Sequence, residues 1–239
     1  MERVNIREQV DRMRRDWDRR ARENARYYVA TSQKEWSDEE FFAAGENELR
    51  DHVLNDLTNI CRGRDPKTMQ VLEIGCGAGR VTRALARFFG EVYAVDISPE
   101  MVRQARQSVA PFPNAHVFCN NGRDLSVVRR RWWHRWGIGG RLEIDFAFSC
   151  LVFQHIPSRA VISSYLSEVN RLLRPGALFK FQVQGYTKED PDLDDSWIGH
   201  AFSPEDARGL AEENGFELRY EWGEGSQYYW LWFFKKNDL

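Results

Sequence analysis

The chain has 239 residues, 42% of them hydrophobic, enough for one sizeable core with an appendage but not comfortably for two. A formal charge of −2 and a pI near 6.3 give no global positive field for nucleic acid, and no apolar run approaches membrane-spanning length. The polar, charged residues after Met1 carry no secretory signal pattern, so a cytoplasmic location is the default expectation.

The first 60 or so residues lack strand alternation. Ile6, Val10, Met13, Trp17, Ala21 and Tyr28 recur near the helical period between arginines and acids, which predicts an amphipathic helix. A second helix is expected from Ser37 or Asp38 through Ile60, with acids in its first turn matching the helix dipole. The polar turn Gly63 to Lys67, with Pro66, marks entry to a separate region.

From there strands and helices alternate. Strands are predicted near 69–74, 91–96, 115–120, 144–150 and 177–184, and helices near 80–89, 99–109, 158–173 and 203–214. Strand after helix after strand implies a parallel sheet, whose ligands sit outside the carboxyl ends of the strands. Phe216 to Trp222 and Tyr228 to Phe234, joined by Gly223-Glu224-Gly225-Ser226-Gln227, read as a closing hairpin.

The first of these strands carries the most specific signal. Val71-Leu72-Glu73-Ile74 ends in Gly75-Cys76-Gly77-Ala78-Gly79, and Val81, Leu85, Ala86 and Phe89 then recur at helical spacing. Glycine at such a turn lets a ligand approach the main chain closely. Asp96 closes the next strand about 20 residues downstream, where a ribose hydroxyl needs an acceptor. A dinucleotide is disfavoured, because its third glycine is replaced by Arg80 and because Glu73 would repel a pyrophosphate. A carboxylate there suits a cationic nucleoside. A strand-to-helix turn with no ligand is the bland alternative.

These residues resemble the class I S-adenosylmethionine-dependent methyltransferases, and the likeness covers most of the chain. Glu73 to Gly79 is similar to that superfamily's first motif, Asp96-Ile97-Ser98-Pro99-Glu100-Met101 to its second, and Asn121-Gly122-Arg123-Asp124-Leu125 to the segment flanking adenine. Asp145-Phe146-Ala147-Phe148-Ser149 with Phe153-Gln154-His155-Ile156-Pro157 is similar to the fourth motif, and Leu172 to Leu178 to the turn into the fifth strand. The resemblance implies a Rossmann-like, seven-stranded, mostly parallel α/β sheet with an antiparallel C-terminal hairpin. It also implies a helical cap over residues 1–65 and a catalytic domain over 66–239.

It implies S-adenosyl-L-methionine as cofactor. Glu73 and the Gly75, Cys76, Gly77 and Gly79 turn would meet the methionine end, Asp96 the ribose, and Ile97 and Met101 the faces of the adenine. Asn121, where many relatives have aspartate, and Gly122 would flank the adenine edge; the Asn carbonyl can still accept from its amine. Ser149, at the end of the fourth strand, belongs to the same expected set. The N-terminal helix either covers the sheet or forms a lid with an aromatic residue against the cofactor; Trp17, Tyr27, Tyr28 and Trp36 are the candidates.

Methyl transfer from a sulfonium is an in-line displacement, so positioning can supply much of the catalysis. An acceptor protonated at neutral pH also needs a base. His155 is the first candidate and His200 the second; His155 also reads as a histidine that orients the loop or contacts a helix end, and His200 as a partly exposed loop histidine. His200 lies in Ser196-Trp197-Ile198-Gly199-His200-Ala201-Phe202, whose Trp197 and Phe202 could line an acceptor pocket. Leu151 and Gln154 stand where some quinone-related O-methyltransferases have carboxylates, which disfavours a metal at this loop. Asp190, Asp192, Asp194 and Asp195 read as a solvated acidic loop. Cys61, Cys76, Cys119 and Cys150 lack disulfide or metal spacing and are expected to be reduced, packing as small hydrophobes.

Arg129-Arg130-Arg131-Trp132-Trp133-His134-Arg135-Trp136 interleaves basic and aromatic residues, which could grip phosphates and stack bases. A helix packing its tryptophans onto the sheet would look the same. Phe148-Ser149-Cys150-Leu151 also lacks the fourth-motif pattern that the resemblance leads one to expect of nucleic-acid or protein amide N-methyltransferases. The sequence therefore points to methyl transfer onto a small-molecule acceptor, by O- or N-methylation. An RNA or protein methyltransferase using residues 129–136, and a non-catalytic cofactor-binding protein, are the alternatives. Acceptor and oligomeric state are not encoded in any motif.

Overall fold

The computed structural model describes residues 6–128, 142–186 and 197–237. Two N-terminal helices, α1 (Ile6–Val29) and α2 (Asp38–His52), precede the short α3 (Leu57–Cys61). There follow β1 (Gln70–Ile74), α4 (Arg80–Phe88), β2 (Glu91–Asp96), α5 (Pro99–Ser108) and β3 (Ala115–Cys119). Then come β4 (Ile144–Ser149), α6 (Arg159–Leu172), β5 (Leu173–Val183), α7 (Pro204–Glu213), β6 (Phe216–Trp222) and β7 (Tyr229–Lys235).

The seven strands form one sheet in the order β3-β2-β1-β4-β5-β7-β6. The pairings from β3 to β5 are parallel, and β7 runs antiparallel to both β5 and β6. The strand order reverses between β1 and β4, and the crevice at such a switch is where open α/β sheets bind ligands.

Alternation along each strand sends side chains to two cores. Leu72, Ile74, Tyr93 and Val95 face one side and pack with Val161, Ile162, Tyr165 and Leu166 of α6, and with Val10 and Met13 of α1. Val71, Val92, Phe146 and Phe148 face the other, against Leu49 of α2, Ile60 of α3 and Leu85 of α4. Helices cover both faces, so the central strands read as continuous apolar runs.

The second helix departs from expectation. It starts where its capping box, Ser37 with Glu40, places it, but it ends at His52 instead of running to Ile60. A 3-10 turn at Leu54–Asp56 intervenes before α3. The turn lets the Asp56 carboxylate reach the buried Lys180 ammonium at 2.9 Å and accept from the Trp232 indole N–H. The fifth strand starts four residues earlier than expected: Leu173 pairs with Ile144, and the register shifts before Phe146 meets Leu178. Gly176, at φ +71°, takes up the irregularity. Within α1, Asn24 leaves helical geometry, at φ −164° and ψ 85°, kinking its last turn.

Asp145, at the base of β4, closes the sheet's lower edge. One of its oxygens accepts from Arg64 and from Arg174 Nε, the other from the Gln70 amide at 2.8 Å. Among the described residues no helix is long and apolar enough to cross a membrane.

Candidate active site

The carboxyl ends of β1, β2, β3 and β4 open into one cleft of about 890 Å³, its mouth included. The glycine turn forms its floor. Gly75 and Cys76 both donate their amides to the Val95 carbonyl, at 2.8 and 3.0 Å, which ties the turn to the neighbouring strand. Gly75 sits at φ +76°, and a Cβ there would lie 2.2 Å from Val152 of the loop after β4. Only glycine admits both that dihedral and that approach.

Two carboxylates face this turn from buried positions. Glu73 is 4% exposed and accepts the Thr82 hydroxyl at 2.6 Å. Burial pushes its carboxyl up to about 7, because removing an anion from water favours its neutral form. Asp96 accepts the Gly77 amide through one oxygen at 2.9 Å and the Ser98 amide through the other at 2.8 Å. Burial raises it to about 6 despite these bonds. Each oxygen keeps a second lone pair for a ligand donor. Arg80 also lines the cleft, but its guanidinium is held by Glu48 of α2 at 3.3 Å. The Cys76 thiol is pushed well up by burial, which leaves it a neutral, inert wall.

Of the other residues expected at the cofactor, Ile97 and Met101 line the cleft. Ser149 instead donates to the Ile74 carbonyl at 2.8 Å, stapling β4 to β1 behind the site. Gly79, at φ +87°, packs against Ala105 and starts α4 without lining the cleft. Gly122 lies under Ile97 and Val10. Asn121 is exposed: its Oδ1 accepts from the Arg123 and Asp124 amides and its Nδ2 donates to Asp124, so its amide holds its own turn. The residue that faces inward is its neighbour Asn120, 4% exposed, which the motif likeness did not single out. Strand alternation does signal it, since Phe118 packs on the face of the sheet carrying α6 while Val117 and Cys119 pack on the other.

The N-terminal helix brings Met13, Trp17, Tyr28 and Val29 over the cleft. Of the four aromatic candidates, Trp17 and Tyr28 therefore face in. Tyr27 lines an outer groove with Arg20, Tyr28 and Trp197. Trp36 packs edge-on against Phe41 and donates to the Ala30 carbonyl at 3.1 Å. The helix is latched by Asp18, whose carboxylate accepts the Ser98 hydroxyl at 2.9 Å and the Glu100 amide at 3.0 Å at the start of α5.

His155 sits behind this wall, 6% exposed and outside the cleft lining. Its Nδ1 meets the Trp197 carbonyl, an acceptor, so Nδ1 carries the hydrogen and Nε2 is left to accept from Gln154 at 3.1 Å. Its ring contacts Trp17 edge-on at 5.2 Å and Trp197 at 5.0 Å. His200 lies half-buried against the edge of Phe202, and burial lowers its pKa. Phe202 is fully within the core. Residues 129–136 and the acids at 190–195 lie outside the described residues. Among the described residues, no group of three or more His, Cys, Asp or Glu side chains could hold a metal ion, and all four cysteines are free thiols.

Comparison with known proteins agrees with this geometry. A family model described as a methyltransferase domain matches residues 72–179. The malonyl-[acyl-carrier protein] O-methyltransferase of Salmonella typhimurium is 30% identical over 169 residues, covering 66% of this chain and 58% of that protein. A bifunctional biotin-biosynthesis protein of Bordetella avium is 34% identical over 113 residues, 46% of this chain but 21% of that protein. The chain thus spans about a fifth to three fifths of the length of these relatives. Among solved structures, magnesium protoporphyrin IX methyltransferase from Synechocystis PCC 6803, with bound S-adenosylhomocysteine, superposes with a TM-score of 0.64. It is 19% identical and covers 93% of this chain and 98% of its own, a likeness of fold.

Proposed function

We propose that this chain, which belongs to the class I S-adenosylmethionine-dependent methyltransferase superfamily, transfers a methyl group from S-adenosylmethionine to a small-molecule oxygen or nitrogen. The observation that carries the reading is the pair of buried carboxylates, Glu73 and Asp96, on either side of a glycine turn open to close approach. When bound, the cofactor supplies a methyl group activated by its sulfonium. Glu73 would hold the ammonium of its methionine end, and Asp96 would accept from its ribose hydroxyls. Both carboxyls are held above their ordinary values by burial, and a neighbouring cation or hydrogen-bond donor would return them to the anionic form. A pyrophosphate would meet the opposite.

The chain's own residues orient and enclose. Within the expected N-terminal cap, α1 covers the cleft, with Trp17 and Tyr28 closing it and excluding water. His155 is a positioning residue for the Trp197 loop, since both ring nitrogens are engaged; His200 lies on that same loop, half-buried against Phe202. The names of the relatives support a small acceptor: one is named for a malonyl group carried by a protein, another for a porphyrin.

Titration calorimetry with S-adenosylhomocysteine and with NAD is the direct test. Binding of the former alone is expected. Binding of NAD alone would overturn the donor assignment. Transfer of label from methyl-labelled cofactor should then follow to a member of a panel of phenols, carboxylic acids and amines; transfer to RNA or protein and to no small molecule would overturn the acceptor class.

A further inference from the structure

The glycine turn has an outer side as well as the side that floors the cleft. There α1, α2, α4 and α5 enclose a second groove of about 920 Å³, its mouth included, with Ala78 of the turn in its wall. Arg26, Arg83 and Arg103 line it against one carboxylate, Asp38. The whole chain carries a formal charge of −2, so this concave surface reverses the overall sign locally.

The three arginines differ in what already holds them. Arg26 donates to Asp38 and to the Trp36 carbonyl. Arg103 is clamped by both oxygens of Glu100, at 2.7 and 2.9 Å, and donates to Gln107 Oε1 at 3.3 Å. Arg83 is different. Among the described residues no carboxylate pairs with it, and its Nε is buried without an acceptor. Its guanidinium lies 4.0 Å from the centre of the Phe42 ring and 5.9 Å from that of Phe112. The ring faces hold the guanidinium in place, but they supply neither a full counter-charge nor a hydrogen-bond acceptor.

Gln107, on α5, lines the same groove. Its Oε1 is taken by Arg103, so its amide hydrogens are left to donate. An uncompensated guanidinium on α4 thus shares the groove with an amide donor on α5, and the clamped Arg103 adds positive charge behind the amide. A guanidinium binds two oxygens of a phosphate or a carboxylate at once. A second donor on another helix suits the phosphate, whose third terminal oxygen points out of the plane of the first two.

We propose that this groove binds the phosphate group of a small phosphorylated molecule. Arg83 grips two of its oxygens through its terminal nitrogens, since Nε is buried, and Gln107 donates to a third. The site lies behind the glycine turn, apart from the cleft, and does not depend on the donor reading above.

Titration calorimetry of the full chain with inorganic phosphate, glycerol 3-phosphate and malonate, at constant ionic strength, is the test. Both phosphates should bind with one-to-one stoichiometry, and malonate at least ~10-fold more weakly. Arg83→Gln should weaken phosphate binding by ~10-fold or more, the loss expected for a charge-assisted pair. Gln107→Ala changes an exposed residue and should weaken it ~3-fold, so it reports even where the first variant misfolds. Both variants should bind S-adenosylhomocysteine as the wild-type protein does, which separates loss of this site from loss of the fold. A wild-type protein that binds no phosphate, phosphate affinity unchanged in both variants, or malonate bound as tightly as phosphate overturns the inference.

Discussion

Replacing Glu73 by glutamine should make the ligand-free protein more stable and a poorer binder of its cofactor. The Glu73 carboxyl moves from an ordinary value of 4.5 to about 7, chiefly through burial. In the folded state it therefore keeps a proton that the unfolded chain has released across that window. Stability from this group is complete below pH 4.5 and is lost as pH rises through 7. At about 1.4 kcal/mol per pH unit, the buried anion destabilises the fold by about 3 kcal/mol at pH 8 and about 1 kcal/mol at pH 5. Glutamine is neutral at both and can still accept from the Thr82 hydroxyl. For a chain of this size the gain in Tm at pH 8 is on the order of 5–10 °C. Calorimetric melts of both proteins at pH 8 and pH 5, with and without S-adenosylhomocysteine, read the effect. The variant should melt higher without ligand, by a margin that shrinks at pH 5, and should gain much less from the ligand. A variant that melts lower at pH 8, or by the same margin at both pH values, would refute the argument from burial.

The same raised carboxyls make cofactor affinity depend on pH. With Glu73 near 7 and Asp96 near 6, and both needed as anions, S-adenosylhomocysteine should bind at least ~30-fold more weakly at pH 5.5 than at pH 8 by calorimetry; a flat profile contradicts the roles given to them. Gly75→Ala would place a Cβ 2.2 Å from Val152 in a left-handed conformation, so the denaturant midpoint should fall by the equivalent of about 2–4 kcal/mol, with partial recovery on adding Val152→Ala. Asp145→Asn weakens the acceptor shared by Arg64, Arg174 and the Gln70 amide and should destabilise by about 3 kcal/mol in urea without altering ligand affinity. Asp18→Ala unlatches α1 from the start of α5; stopped-flow tryptophan fluorescence should then show faster association and dissociation of S-adenosylhomocysteine, and unchanged rates would show that α1 does not gate the cleft.

Most of the fold is legible in the sequence because parallel strands buried on both faces write themselves as unbroken apolar runs. Val71 to Ile74, Val92 to Val95 and Phe146 to Phe148 need no partner to be recognised. The break in the second helix is different in kind. Nothing local forbids helix from Val53 to Ile60; the chain turns because Asp56 is required by Lys180 and Trp232, residues more than 120 positions away. The early start of β5 is likewise imposed by Ile144 across the sheet, against a Pro175-Gly176 pair that locally reads as a turn.

The candidate site divides along the same line. Glu73, Gly75, Gly77 and Asp96 are placed by short-range chemistry: a strand, a turn that only glycine can make, and the next strand's end. The aromatic wall is not. Trp17 and Tyr28 face the cleft, while Tyr27 and Trp36 do not, because the rotation of α1 is set by Val10 and Met13 in one core and Ala21 and Ala25 in another. A kink at Asn24 then redirects the final turn. Eleven residues separate Trp17 from Tyr28, close to three helical turns, so periodicity puts both on one face but cannot say which face the sheet receives. Asn120 lies between these cases. Its inward direction follows from alternation along β3, yet its setting, an amide oxygen without a partner beside a buried phenol, exists only once α6 has been laid across the strand ends.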